Sequence, residues 1–108
     1  MIVRTWKGKA AKGKEKAYAE HFRNKLMPEL KSISGFLGAT LLREDRDKDS
    51  EFLVLTRWQS MEAVRAFAGV ALEHAVMDPE AIAALLSYDP KVQHYAITLR
   101  DLPTHSAE

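Results

Sequence analysis

The chain has 108 residues, 46% of them hydrophobic and 29% charged, with a formal net charge of +1. This length suits one domain and is too short for two, the composition is that of a folded chain, and the near-neutral balance gives no general pull toward nucleic acid or a lipid surface. The lack of cysteine excludes disulfides, thiol catalysis and zinc–thiolate sites, and it fits a cytoplasmic location.

The opening MIVRTWKGK is too short and too polar for the apolar core of a signal peptide. No apolar run approaches the roughly 20 residues of a membrane span, so neither a membrane nor a nucleic acid is expected as partner. Residues 2–6 alternate as a strand, with Ile2, Arg4 and Trp6 on one face and Val3 and Thr5 on the other. From Lys12 the spacing becomes helical: Tyr18, Phe22, Leu26 and Leu30 form one stripe. Pro28 lacks an N–H and crowds the carbonyl of Asn24, which predicts a break or kink near Met27 and a short second segment to about Ile33.

Ser34-Gly35 is turn chemistry and precedes a second strand over 36–43. REDRDKDS reads as a polar hairpin tip, and EFLVLTRW, residues 51–58, is the third and most apolar strand. Ser60 can cap the next helix, which buries Ala63, Val64, Phe67 and Ala68. Residues 70–77 have no clear period. Asp78-Pro79-Glu80 opens a further helix carrying Ile82, Leu85 and Leu86 and stopping at Asp89-Pro90. A last strand is expected over 92–99, within a single domain spanning 1–99, followed by a tail over 100–108 that frays from Thr104.

The order β-α-β-β-α-(α)-β describes an α+β ferredoxin-like βαββαβ sandwich: a four-stranded antiparallel sheet with helices on one face. Strand three is apolar on both parities, with Phe52, Val54 and Thr56 on one side and Leu53 and Leu55 on the other. Both faces need burial, so a homodimer joined through its sheet faces is expected.

Two motifs mislead. GKAAKGKE fits the spacing of a phosphate-binding loop, but Glu15 stands where a serine or threonine would hold magnesium. Lys7, Lys9, Lys12 and Lys14 are better read as solvating a loop. DRDKDS resembles a calcium loop, but Ser50 replaces its glycine and Thr56 its final glutamate. The four histidines show no metal-ligand spacing, and no metal is expected. His21 is expected to face water, and His105 lies in the tail.

The first strand with Trp6, the stretch EFLVLTRWQSMEAVRAFAG, the helix start at Pro79 to Ala81 and HYAIT from His94 together resemble the antibiotic biosynthesis monooxygenase-like family. The resemblance spans about residues 1–99. It implies a dimeric α+β barrel whose substrate cavity lies between sheet and helices. It further implies oxidation of polyketide quinol-type rings by oxygen without any added cofactor. Trp58 would then form the cavity floor or rim, while Arg57, of opposite parity, would point to the dimer side or to solvent.

On this reading His94 and Arg4 are the catalytic candidates: His94 as acceptor of a phenolic proton, and Arg4 as the charge that steadies the resulting oxyanion. Trp6, Trp58, Phe67, Tyr18 and His74 are the substrate-binding candidates. The plainer alternative is that the tryptophans are core and His94 is a hydrogen-bonded sheet residue. Two other functions stay open. One is a non-catalytic or stress-related dimer that binds a small hydrophobic ligand. The other is haem degradation with His74 as iron ligand, against which Trp6 and Phe67 stand where haem-degrading relatives carry an amide and a tryptophan.

Overall fold

The computed structural model describes residues 1–101. Its elements are β1 (Ile2–Ala11), α1 (Glu15–His21), a π-helical turn (Phe22–Leu26), α2 (Met27–Lys31), β2 (Phe36–Asp45), β3 (Asp49–Trp58), α3 (Met61–Ala68), α4 (Pro79–Ala83), β4 (Ser87–Tyr88) and β5 (Gln93–Ala96). The sheet runs β2-β3-β1-β4, with β5 also paired to β1, and every pairing is antiparallel. The helices cover one face, so the fold is the expected α+β ferredoxin-like sandwich. His105 and the frayed end from Thr104 lie outside the described residues.

Strand parity decides which residues enter the core. Arg4, Trp6, Phe52, Val54, Thr56 and Trp58 point under the helices and are buried. Two clusters result. Trp6, Tyr18, Phe22, Phe52 and Val54 form one, and Leu30, Trp58, Ala63 and Val64 form the other. On the opposite face Val3, Thr5, Leu53 and Leu55 are only half-buried and Leu42 is exposed. Arg57 lies on that face as its parity requires, folded over Gly38 with Nη1 donating to Thr40 Oγ1 at 3.2 Å.

Pro28 does not break the first helix. The turn before it widens instead, and the Met27 N–H reaches back to the Phe22 carbonyl. A π-helical turn changes which amides serve which carbonyls, so the proline, which brings no N–H, is absorbed without a break. α3 starts as its sequence predicts, with Ser60 Oγ accepting from the Ala63 N–H at 3.3 Å, and Asp78 Oδ1 does the same for Ala81 at 2.8 Å.

Three expectations need correction at the C-terminal end and on α1. α4 ends at Ala83, well before Asp89-Pro90. The Leu86 N–H is drawn to the Lys9 carbonyl at 2.7 Å, and Ser87 and Tyr88 pair with Lys9 and Gly8, so β1 claims these residues before the helix can. The last strand, expected over 92–99, is the shorter β5, and β4 precedes it as an added strand on the same edge of β1. They are divided where the Asp89 carbonyl leaves the ladder to accept from the Trp6 indole N–H at 2.8 Å. His21 does not face water: its side chain is 7% exposed, between Asp78 at 3.5 Å and Glu80 at 3.6 Å. The docking of α4 across α1 covers it.

The lysine-rich loop is filled from within. Glu15 Oε1 accepts from the Gly13 N–H at 3.0 Å, which occupies the kind of amide that a phosphate-binding loop keeps for its ligand. Glu15 Oε2 accepts from the fully buried Ser50 Oγ at 2.7 Å and so ties the start of α1 to the start of β3. DRDKDS forms the tip between β2 and β3, where Arg43 pairs with Asp45 at 2.6 Å and Arg46 with Glu44 and Glu51.

The Ser50 hydrogen bond, then the Glu15 and Gly13 amides, hold the Glu15 carboxyl below its ordinary value of 4.5. A carboxyl depressed by folding adds stability above its unfolded pKa and loses it as pH falls through the folded value. Glu15→Gln should therefore flatten the acid limb of the stability curve, measured by urea melts at about pH 3 and about pH 7. An unchanged acid limb would refute the assignment. Trp58 is fully buried, stacked on Phe67 at 5.7 Å and edge-on to Phe36 at 5.2 Å. Trp58→Ala should cost about 3–5 kcal/mol, read as a lowered urea midpoint, and an unchanged midpoint would contradict this packing.

Candidate functional site

Between sheet and helices lies a cavity of about 50 Å³. Arg4, Trp6, Val54 and Thr56 form its sheet wall, and Tyr18, Leu26 and Leu30 its helical wall. Phe67, Ala75, Val76, Met77 and Val92 complete the lining. Small-molecule sites commonly enclose about 300–1,000 Å³, so the walls stand closer together than a ligand of that class needs. The segment over 70–77 is the wall with least regular structure. Backbone bonds from His74 N–H to Ala71, Ala75 N–H to Pro90 and Val92 N–H to Glu73 hold it, together with one isolated bridge between His74 and Lys91.

The main charged group on this wall is the guanidinium of Arg4, which is 5% exposed. None of the ion pairs among the described residues includes it. Its partners are neutral. Nη1 donates to the Leu72 carbonyl at 2.7 Å and to His94 Nε2 at 2.9 Å, and Nη2 donates to the His74 carbonyl at 3.0 Å. The Phe67 ring lies 5.8 Å from its Cζ. Burial without an opposite charge pushes the Arg4 pKa down to about 10, so the group is still a cation at neutral pH.

The strand register sets Arg4 directly opposite His94. Arginine has no acceptor, so the imidazole must present its Nε2 lone pair and carry its proton on Nδ1. The ring's pKa lies below the ordinary histidine value, first through burial and second through the charge of Arg4, with Glu73 opposing. His94 is thus a neutral base whose lone pair is already engaged. It stands behind Arg4 and is not among the lining residues.

Tyr18 is 3% exposed, and its hydroxyl makes no hydrogen bond among the described residues. Burial, and secondarily Asp78, pushes its pKa upward, so it stays a neutral donor. Trp6 presents its ring to the cavity, anchored by the bond to Asp89 and lying over Gly8, where any Cβ would meet the indole.

Of the sequence-stated candidates, Arg4, Trp6, Tyr18 and Phe67 line one cavity, and His94 joins them through Arg4. Trp58, expected at the floor or rim, sits behind Phe67 in the second core cluster, with its indole N–H donating to Thr56 Oγ1 at 2.8 Å. His74 is exposed, and only its carbonyl reaches the site. Thr56, Val76, Met77 and the Leu72 carbonyl were not anticipated. Thr56 could have been found from its parity with Val54, whereas a backbone carbonyl leaves no signal in residue types.

The fold recurs in solved structures of low sequence identity. The monooxygenase ActVA-Orf6 of Streptomyces coelicolor, solved in complex with Nanaomycin D, is 18% identical with a TM-score of 0.61, over 97% of this chain and 92% of that one. SnoaB of Streptomyces nogalater, a cofactor-independent oxygenase, is 22% identical with a TM-score of 0.56, over 96% and 98%. The haem degrader MhuD of Mycobacterium tuberculosis, with two haems in its active site, is 20% identical with a TM-score of 0.61, over 94% and 99%. No curated protein sequence matches. The antibiotic biosynthesis monooxygenase model matches residues 1–74, well over half of the chain, and the chain belongs to that family.

Proposed function

We propose that the chain is a cofactor-independent monooxygenase acting on a small, flat, electron-rich aromatic substrate of quinol or polyketide type. One observation carries this reading: a cation buried on the wall of an otherwise mostly apolar cavity, with a neutral imidazole at its back. Deprotonating a phenol or enol raises its ability to give electrons to dioxygen, so the substrate itself can serve as reductant. In the balanced reaction a ring CH₂ becomes a carbonyl, one oxygen atom stays with the product and the other leaves as water. The protein's tasks are to remove a proton, hold the anion and exclude bulk water.

Arg4 would hold the developing oxyanion. His94 would take the proton once Arg4 turns from it to the substrate, since that movement frees Nε2. An imidazolium beside the Arg4 guanidinium is unfavourable, which favours passing the proton on to solvent from the half-exposed ring. Trp6 and Phe67 would sandwich the ring system, and the Tyr18 hydroxyl would donate to a neutral oxygen of it. Trp58 would act from behind by fixing Phe67, and His74 through its carbonyl. Trp6 and Phe67 occupy the two positions at which the sequence departs from haem-degrading relatives, which favours the oxygenase reading over haem cleavage.

The working unit on this reading is a homodimer joined through the bare sheet faces. Val3, Leu53 and Leu55 are half-buried on a face that no helix covers, and Leu42 and Tyr95 are exposed. Sedimentation at micromolar concentration should give twice the chain mass, and Leu55→Lys should give the monomer. A monomeric parent chain would refute the dimer.

The function is tested by oxygen uptake and anthraquinone formation with anthrone in metal-chelated buffer. Uptake above the uncatalysed rate is expected, and His94→Ala should abolish turnover with affinity for the substrate nearly intact. Binding without oxygen uptake would make the chain a ligand-binding module instead. Equal loss of binding and turnover in His94→Ala would make His94 a packing residue.

A further inference from the structure

An isolated buried cation is among the costliest features a fold can carry, and natural proteins pair such groups or give them a ligand. Among the described residues Arg4 has no carboxylate partner, and it is 5% exposed. What it has are two carbonyls, from Leu72 and His74, that converge on its two terminal nitrogens from the irregular segment over 70–77. Two oxygens facing the two terminal nitrogens of one guanidinium are the arrangement in which a carboxylate binds arginine. Neutral carbonyls make weaker partners for that cation than an anion does.

We infer that the cavity's occupant enters as an aromatic anion bearing a carboxylate or a similarly placed pair of oxygens, and that the Leu72 and His74 carbonyls hold its place on Arg4 until it arrives. The inference rests on the cavity described above being the binding site, and not on turnover.

Two consequences follow from the geometry. An anion that binds end-on across Nη1 and Nη2 takes the places of the two loop carbonyls. Exchange releases the segment over 70–77, whose side chains Ala75, Val76 and Met77 line the cavity, and the space grows as the ligand takes its place. Binding and opening are therefore one event. A neutral ligand of the same shape offers Arg4 less than it must surrender, so the site discriminates by charge.

The test uses 2-naphthoate and its neutral isostere 2-naphthamide, titrated by calorimetry against the full-length parent chain and Arg4→Met. The parent should bind the anion at least about ten-fold more tightly than the amide, and Arg4→Met should lose that preference. Hydrogen exchange on the parent alone covers the case in which Arg4→Met does not fold. Saturating naphthoate should speed exchange of the Ala75 and Val92 amides, which pin the segment, while the β1–β3 ladder stays protected.

Equal affinity for the two ligands, no binding of either, a charge preference that survives Arg4→Met, or binding with unchanged exchange at Ala75 and Val92 would each overturn the inference. A protein inert toward oxygen that still selects the anion through Arg4 would remove the oxygenase reading and leave this one standing.

Discussion

A guanidinium buried in the middle of a sheet, with no carboxylate beside it among the described residues, is the constraint around which this domain is arranged. Arg4 lies on β1, the strand that pairs with β3 on one side and with β4 and β5 on the other. Its charge cannot leave, because the group keeps its proton even when desolvated. The surrounding chain answers with acceptors. β5 brings His94 into register, and the segment over 70–77 crosses the cavity to bring two carbonyls. The irregular course of that segment is a consequence: a regular helix there would spend those carbonyls on its own amides.

The same side of the sheet divides into a rigid part and an adaptable one. Trp58, Phe36, Phe67 and Val64 pack around the end of β3, and the Trp58 indole is fastened to Thr56. Trp6 is fastened to Asp89 and seated on Gly8. Trp6, and Phe67 backed by Trp58, give the cavity fixed flat walls. Opposite them, the closing segment is held by a handful of backbone bonds and by Arg4 itself. A site with fixed aromatic walls and one weakly held wall can admit a planar ligand without disturbing the core.

Much of this was legible in the residues, and the reasons are local. Alternation along residues 2–6 and 51–58 told which side chains share a face, while the register of β1 with β5, which sets Arg4 beside His94, is fixed only by the folded sheet. Capping by Ser60 and Asp78 is set by chemistry within three residues, and it was readable for that reason. What escaped was set by distant partners. His21 looks like a surface residue until α4 docks on it. α4 looks longer until β1 takes the residues after it. Trp58 has the right parity for a cavity wall, and only the stacking of Phe67 in front of it removes it from one. The segment over 70–77 has no period because it contributes through its backbone.

The arrangement of Arg4 can be observed without any ligand or assay. In ¹⁵N-labelled protein, the side-chain signals of Arg4 and the ring nitrogens of His94 should be followed by NMR at neutral pH. The account predicts resolved, slowly exchanging Nη–H signals for Arg4, a neutral His94 protonated on Nδ1, and a through-hydrogen-bond coupling between Arg4 Nη1 and His94 Nε2. Averaged, rapidly exchanging Arg4 signals, or a His94 protonated on Nε2, would contradict it.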